Sequence, residues 1–216
     1  MRADRTSVTE PDPVVHVVDD DDSVRTAVVR LLQAAGYEAR GYGSAGEFLL
    51  ARSDPNTPGC IVLDVQMPGL SGFDLQEAFA RNWVPLPIVF LTGYGDIPMS
   101  VRAIQAGAVD FLTKPVNRDA LLGAIRSALA RNAAVRAAHA QALALRERHE
   151  MLTPREREVF AGVVAGKLNK QIAFELGTAE RTIKAHRAQV MEKMHVTSVA
   201  ELVRAAEQLR EKPIHS

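Results

Sequence analysis

Chemically reactive side chains come directly after several short apolar segments of this chain. Asp64 is the clearest example, because it follows the apolar run 60–63 and precedes the turn-forming segment 65–69. A short apolar run that ends in turn residues is typical of a buried strand in a parallel sheet. Four other side chains stand at or near the ends of further apolar segments: Asp19, Asp20, Thr92 and Lys114.

The types of these five side chains suit phosphoryl transfer. Three carboxylates in one cleft repel one another unless a cation joins them, and Mg²⁺ is a hard ion that prefers oxygen ligands. An aspartate can act as a nucleophile and form an aspartyl-phosphate. A lysine and a hydroxyl can neutralise and hydrogen-bond the phosphoryl oxygens. We therefore expect a phosphoryl group on Asp64, although each residue taken alone could be a helix cap or a surface side chain.

Alternating strands and helices would bring these side chains together. Apolar segments near 14–18, 37–42, 60–63, 86–91 and 109–112 predict five strands, and a predicted helix follows each of them. This alternation predicts an α/β fold with a doubly wound parallel sheet. The carboxyl ends of parallel strands lie at one edge of such a sheet, which is where ligands bind.

Four segments of this region resemble the motif set of response-regulator receiver domains: 17–20, 63–69, 91–93 and 111–115. The stretch 95–111 is similar to the FixJ-like subgroup of that family. The resemblance implies that Asp64 is the phosphoacceptor, and that Gln66 and Tyr94 stand at positions that influence the rate of phosphoryl loss. It also implies that Mg²⁺ is the cofactor, held by Asp19, Asp20, Asp64 and the backbone carbonyl of Gln66.

The same resemblance implies roles for residues at the ends of the last two strands. Thr92 and Lys114 would bind the phosphoryl group, and Phe111 would occupy an aromatic switch position. The Lys114–Pro115 peptide bond is expected to be cis. The added charge of about −1.5 to −2 is expected to draw Thr92 inward and let Phe111 turn in. The face made by the fourth helix, fifth strand and fifth helix would then change and dimerise.

The region 118–149 predicts a long helix between two modules. It contains no proline and one glycine, Gly123, and it is rich in alanine, leucine and arginine, which favour helices. We predict one long helix, or two helices in near continuity. A helical spacer is favoured over a coiled-coil dimer, because apolar heptad positions are not sustained along it.

Capping and turn residues in the last third of the chain predict four helices. Thr153 starts the first helix in a capping pattern with proline and glutamate, and Asn169 starts the second. Gly177 makes the turn to a third helix over 179–194, and Ser198 begins another capping pattern. Two short helices joined by a tight turn fit a helix-turn-helix unit.

Three segments of this unit resemble the LuxR-type DNA-binding domain: 152–159, 169–173 and 181–187. The resemblance implies that the third helix is a recognition helix in the major groove of DNA. The side chains expected nearest the bases are Lys184, Ala185, Arg187 and Ala188. The side chains expected near the DNA backbone are Arg181, Thr182, His186, Lys170 and Gln171. A partly packed position suits His186 equally well.

The charges of the chain cancel overall but are unevenly distributed. Residues 1–130 carry 11 Lys and Arg against 16 Asp and Glu, whereas residues 151–216 carry 11 against 8. An acidic first module and a basic last module indicate different partners. The single cysteine, Cys60, excludes an internal disulfide and a cysteine-rich zinc site. Without a long apolar stretch or a signal-peptide core, we expect a cytoplasmic protein with no membrane contact.

Four segments are predicted: a disordered tail at 1–13, a receiver domain at 14–130, a helical linker at 131–150 and a LuxR-type DNA-binding domain at 151–216. The expected function is a two-component transcription regulator rather than an enzyme. Its expected partners are a sensor histidine kinase, promoter DNA and a second copy of the chain, with RNA polymerase as a further candidate. Two alternatives stay open: an enzyme that turns over the aspartyl-phosphate, and a DNA-binding regulator whose first domain acts independently of phosphorylation.

Overall fold

The chain divides into two compact units, Met1–Arg136 and Ala137–Ser216. The computed structural model describes residues 11–51, 57–69, 72–80, 86–93 and 97–210. Two predictions concern residues outside this described part: the tail before residue 11 and the position of Tyr94.

The first unit is an α/β domain in which strands and helices alternate. Its elements are β1 (Val14–Val18), α1 (Asp22–Ala34), β2 (Glu38–Tyr42), α2 (Ala45–Ala51), β3 (Gly59–Leu63), α3 (Gly72–Ala80), β4 (Ile88–Thr92), α4 (Ile97–Gln105), β5 (Asp110–Thr113) and α5, which starts at Arg118. All strand pairs are parallel, and the strand order is β2-β1-β3-β4-β5. These observations confirm the predicted doubly wound sheet.

Apolar side chains on both faces of the sheet hold this domain together. β1, β3 and β4 are buried along their whole length, as expected for strands that helices cover on both sides. Ile61 and Phe90 pack in a cluster with residues of α2, α3 and α4. The following residues, Val62 and Leu91, pack in a second cluster with residues of α1 and α5. Successive strand residues therefore face opposite layers of helices.

The strand order reverses beside β1, and this reversal creates a crevice at the carboxyl edge of the sheet. β1 pairs with β2 on one side and with β3 on the other, while β4 and β5 continue beyond β3. Asp19 directly follows β1, and Asp64 directly follows β3. Open parallel sheets bind ligands at such a reversal point.

A single helix, α5 (Arg118–Glu150), follows β5 and confirms the prediction of a long helix. Asn132 is buried in the first unit, where its Oδ1 accepts a hydrogen bond of 3.1 Å from the amide of Gly59. Leu145, further along α5, belongs to the apolar core of the second unit. The boundaries of a separate linker at 131–150 stay a prediction. None of the described helices combines the length and apolar character that a membrane span requires.

In the described part of the second unit, four helices follow the end of α5, as predicted for a helix-turn-helix domain. They are α6 (Pro154–Val164), α7 (Asn169–Glu175), α8 (Glu180–Lys193) and α9 (Val199–Arg210). Their shared core includes Val159, Ile172, Ile183, Val190 and Leu202. The turn between α7 and α8 depends on Gly177, whose φ of 60° lies in the left-handed region that favours glycine.

Candidate functional site

Three carboxylates converge at the edge of the sheet where β1 and β3 end. Val18 pairs with Leu63 in the parallel register, so Asp19 and Asp64 follow neighbouring strand positions. Both of these aspartates are buried, whereas Asp20 is exposed. One carboxylate oxygen from each aspartate lies within 4.8 Å of the others. The structure therefore brings together the three carboxylates that the sequence predicted.

The ammonium group of Lys114 lies between the two buried carboxylates. Its Nζ is 2.7 Å from Asp19 Oδ2 and 2.7 Å from Asp64 Oδ2. The end of β5 positions this side chain, because the Lys114 amide donates a 2.8 Å hydrogen bond to the carbonyl of Thr92 on β4. The Lys114–Pro115 peptide bond is cis, as the sequence predicted.

Backbone amides hold the second oxygen of each buried carboxylate. Asp64 Oδ1 accepts a hydrogen bond of 3.1 Å from the amide of Gln66. Asp19 Oδ1 accepts a hydrogen bond of 3.0 Å from the amide of Asp21. Each carboxylate thus has one oxygen directed at Lys114 and one directed at a loop amide. This arrangement fixes the orientation of the Asp64 carboxylate before any ligand binds.

Negative charge exceeds positive charge at this site. Lys114 contacts two carboxylates, whereas Arg25 donates to the backbone carbonyl of Asp19 at 2.6 Å and pairs with Asp22. Burial raises the pKa of the Asp19 carboxyl, although Lys114 opposes the shift. Burial lowers the pKa of Lys114, but its hydrogen bonds to Asp19 and Asp64 outweigh burial and raise it. The ammonium therefore stays charged, and the charge of Asp19 is only partly compensated.

The donor atoms of this cluster fit a magnesium ion. Mg²⁺ prefers oxygen ligands and is commonly held by one or two carboxylates together with water. Asp19, Asp20 and Asp64 supply carboxylate oxygens in close proximity, and their charges are incompletely neutralised. A divalent cation would remove part of the repulsion that burial strengthens.

Thr92 and Phe111 lie on the two strands next to the carboxylates. Thr92 is the last residue of β4 and is fully buried. Phe111 is half-buried on β5, opposite Phe90 in the register, and the two ring centroids are 6.2 Å apart. Thr92 is thus already buried, while Phe111 retains an exposed portion that further burial can remove.

One side of α8 is exposed and basic. The exposed residues there are Arg181, Thr182, Lys184, Ala185 and Ala188. His186 and Arg187 are half-buried, and Arg187 Nη1 donates a 3.0 Å hydrogen bond to Asn169 Oδ1 on α7. Lys170 and Gln171 are exposed on α7, but Gln171 Oε1 accepts a 2.7 Å hydrogen bond from the amide of Leu168.

Two known families match this chain in succession. Residues 15–126 match the response regulator receiver domain, and residues 150–206 match the luxR family of bacterial regulatory proteins. Nodulation protein W from Bradyrhizobium diazoefficiens is 45% identical over 196 residues, which cover 91% of this chain and 86% of that protein. The chain belongs to the response-regulator family. With these two domains, this response regulator is a phosphorylation-dependent regulator of transcription rather than a classical enzyme.

Further relatives place this response regulator among the FixJ-like proteins. The transcriptional regulatory protein FixJ of Bradyrhizobium diazoefficiens is 41% identical, with 89% of this chain and 93% of that protein covered. A low-resolution structure of the response regulator StyR is 46% identical, with a TM-score of 0.82 and coverage of 92% of this chain and 100% of the other. Full-length FixJ from B. japonicum is 40% identical, with a TM-score of 0.55 and coverage of 91% and 97%.

Sequence reasoning about this response regulator missed three polar contacts. The bond from Arg25 to the Asp19 carbonyl and the bond from Arg187 to Asn169 depend on the fold. The third contact, from the Leu168 amide to Gln171 Oε1, did have a local signal in the sequence. Leu168 is the N-cap of α7, and a glutamine three residues after the N-cap is a known capping pattern.

Proposed function

We propose that a sensor histidine kinase phosphorylates Asp64 and that the modification promotes dimerisation and promoter binding. The observation that carries this proposal is the Asp64 carboxylate, held 2.7 Å from the Lys114 ammonium among two further aspartates. An oriented nucleophile, a fixed cation and a set of oxygen ligands are the parts that phosphoryl transfer requires.

In the proposed reaction, an oxygen of Asp64 bonds to phosphorus while the N–P bond of a phosphohistidine breaks. Asp19, Asp20, Asp64 and the backbone carbonyl of Gln66 would hold Mg²⁺. When bound, the ion neutralises charge on the phosphoryl oxygens. Lys114 then exchanges its contact with the Asp64 carboxylate for a phosphoryl oxygen, since its ammonium already lies at that position.

We propose that the phosphoryl group acts on the rest of the domain through Thr92 and Phe111. The Thr92 hydroxyl would hydrogen-bond a phosphoryl oxygen, and Phe111 would become more buried against Phe90. α4 lies next to β5 and carries two partly exposed apolar side chains, Val101 at 47% and Ile104 at 48%. These residues support α4 and β5 as part of the dimer face, because dimerisation would remove their apolar surface from water.

The DNA-binding unit would then act as one half of a dimer on a two-fold symmetric site. Lys184, Ala185, Arg187 and Ala188 would lie nearest the bases in this arrangement. Arg181, Thr182, His186, Lys170 and Gln171 would lie near the phosphates. We propose RNA polymerase as a further partner, which would contact the dimer when it is bound to DNA.

The decisive experiment compares dimerisation and DNA affinity with and without Mg²⁺ and beryllofluoride, a mimic of the phosphoryl group. Wild type and Asp64→Ala are measured side by side by light scattering and by binding to a pool of promoter fragments. Asp12→Ala is the matched control, because it removes an exposed carboxylate just before the start of β1, at the opposite end of the strand from Asp19. We expect wild type and Asp12→Ala to dimerise and bind DNA more tightly, and Asp64→Ala to show neither response.

Other outcomes would each refute a different part of the proposal. Equal responses of Asp64→Ala and wild type would refute Asp64 as the phosphoacceptor. Tighter DNA binding at constant molecular size would refute dimerisation but retain the phosphorylation switch. A response to beryllofluoride without Mg²⁺ would refute the metal requirement.

A further inference from the structure

The hydrogen bond between Asn169 and Arg187 joins the two helices of the helix-turn-helix unit. Arg187 Nη1 lies 3.0 Å from Asn169 Oδ1, and both residues are half-buried. Asn169 is the first residue of α7, while the preceding Leu168 is the N-cap and receives its side-chain cap from Gln171. The Asn169 side chain therefore has its partner on α8 rather than a role in starting its own helix.

Arg187 stands at the border between the buried and exposed sides of α8. It lies four residues after Ile183 and three before Val190, both of which are fully buried. It also lies three residues after Lys184, which is exposed. Residues three or four apart are neighbours on a helix surface. Arg187 is therefore beside the exposed basic side, at the point where α8 meets Asn169 of α7.

The contact with Asn169 restricts the plane of the Arg187 guanidinium. A guanidinium has five N–H donors in a fixed planar arrangement, so about four stay available after this bond. Two coplanar donors can bind O6 and N7 of guanine at once, which is the commonest specific contact in the major groove. A side chain that is already ordered loses less conformational entropy on binding.

Lys184 provides the contrasting case on the same helix. Its side chain is exposed, and no hydrogen bond or ion pair engages it within the described part of the chain. An ammonium is a compact charge on a flexible stem, and it lacks the planar arrangement that selects one base. Such a group attracts phosphates regardless of DNA sequence.

We propose that Asn169 positions Arg187 to read one base pair of the operator, while the unrestrained ammonium of Lys184, although close to the bases, supplies attraction that is largely independent of sequence. This inference rests on the proposed DNA-binding function of α8. Asn169 acts through Arg187 and is therefore a positioning residue. The base that Arg187 reads is guanine, because a guanidinium presents only donors and guanine presents two adjacent acceptors in the major groove.

A purely structural link between α7 and α8 would behave differently. Ile172 and Ala173 of α7 are already buried in the core with Ile183 of α8, so apolar packing joins the helices without the polar bond. Loss of a structural link would lower the stability of the unit and weaken binding to all sequences alike. Loss of a positioning contact would change the preference at one base pair and leave binding to unrelated DNA unchanged.

The test uses the full-length protein with Mg²⁺ and beryllofluoride and double-stranded DNA selected by wild type from a random pool. Each position of the selected site is then replaced by the other base pairs, and the ratio of dissociation constants gives the discrimination. Four variants are compared with wild type: Asn169→Ala, Asn169→Asp, Arg187→Ala and Lys184→Ala. The double variant of Asn169→Ala and Arg187→Ala completes a thermodynamic cycle.

We expect Asn169→Ala to reduce discrimination at one G·C pair by about fivefold, the lower limit for a good bidentate contact. Arg187→Ala should reduce discrimination at the same pair by about tenfold or more, and adding Asn169→Ala should then change nothing further. Asn169→Asp keeps the acceptor oxygen, so discrimination should persist while all DNA binds more weakly through charge repulsion. Lys184→Ala should weaken binding to all sequences alike and lower the salt dependence by about one unit.

Several outcomes would overturn the inference. Unchanged base preference in Asn169→Ala or Arg187→Ala would refute the reading role, and an equal loss at every position would indicate a structural link. If Asn169→Ala fails to fold, Asn169→Asp decides, because loss of base preference in that folded variant would refute positioning. If wild type selects no DNA sequence from the pool, the proposed operator binding itself is refuted. That outcome is distinct from the outcomes with the variants, which concern only the role of Asn169 and Arg187.

Discussion

The two units each bury a carboxylate beside a lysine, but the surroundings of the two pairs differ. Asp19 in the first unit and Glu156 in the second are both 2% exposed, and each has an oxygen 2.7 Å from an ammonium. Lys114 is shared between Asp19 and Asp64. Lys193 contacts both oxygens of Glu156, which also accepts a hydrogen bond of 2.8 Å from the amide of Thr153.

The opposite pKa shifts of the two carboxyls follow from this difference. Burial raises the pKa of Asp19, so the folded chain disfavours its charge. Hydrogen bonds from Lys193 and from the Thr153 amide lower the pKa of Glu156, so the folded chain favours its charge. A similar ion-pair distance therefore accompanies a partly compensated carboxylate cluster in one unit and a fully paired carboxylate in the other.

The largest expected effect is that of neutralising Asp19 on the affinity for Mg²⁺. We expect Asp19→Asn to weaken Mg²⁺ binding by on the order of 100-fold, because a charged oxygen ligand is lost. Calorimetric titration of the full-length protein measures this change. Glu156→Gln is the matched control and should bind Mg²⁺ as wild type does. Equal affinity of Asp19→Asn and wild type would show that the carboxylate cluster is not the metal site.

The next largest expected effect is that of neutralising Glu156 on the stability of the second unit. We expect Glu156→Gln to destabilise this unit by about 2 kcal/mol, because a buried charge-assisted hydrogen bond is lost. Hydrogen exchange of the amides in α6 and α8 measures the change in the full-length chain. Glu158→Gln removes an exposed ion pair with Arg155 and should cost less than about 0.5 kcal/mol. Equal losses in the two variants would contradict a special role for the buried pair.

Asp19→Asn should change stability in the direction opposite to Glu156→Gln. Without divalent cations, Asp19→Asn should stabilise the first unit by about 1 kcal/mol, because it relieves repulsion among buried carboxylates. Hydrogen exchange of β1 and β3 amides provides the measurement. A loss of stability like that expected for Glu156→Gln would show that the two pairs are equivalent, and the comparison would fail.

Much of the sheet edge that carries the carboxylates could be predicted from sequence, because topology determines which residues lie there. Once apolar segments predict parallel strands, Asp19, Asp64 and Thr92 must lie at a common edge. Lys114 follows β5 by one residue and reaches the same edge. The predicted starts of β4 and β5 differed from the structure by one or two residues, at 86 and 109 instead of Ile88 and Asp110. These shifts did not matter, since the site depends on where strands end.

The contacts that orient the side chains could not be predicted in the same way. Asn132 meets Gly59 across 73 residues, and Arg187 meets Asn169 across 18. Neither pair lies at a helical or strand spacing, so periodicity carries no signal for them. Arg187 was predicted as a DNA contact from the resemblance to the LuxR-type domain, but its partner on α7 became apparent only from the packing of the two helices.

The smallest expected effect is that of low pH on the stability of the second unit. Low pH protonates Glu156 and so removes its charge without a mutation. The pKa of this carboxyl in the folded chain lies below its ordinary value of 4.5. A group with a lowered pKa contributes its full stabilisation above the unfolded pKa, and the contribution is lost as pH falls toward the folded pKa. Stability attributable to Glu156 should therefore be constant from pH 7 to pH 6.

Between pH 5 and pH 4, the second unit should lose less than about 1 kcal/mol through this group. The measurement is the difference in urea unfolding between wild type and Glu156→Gln at each pH, because other carboxyls titrate equally in both proteins. The difference should shrink only below about pH 5, as the unfolded chain begins to bind a proton at this position. A difference that grows as pH falls from 7 to 6 would mean that burial, rather than Lys193, controls the titration of Glu156, because protonation of a group with a raised pKa stabilises the folded state. The contrast with Asp19 would then be lost.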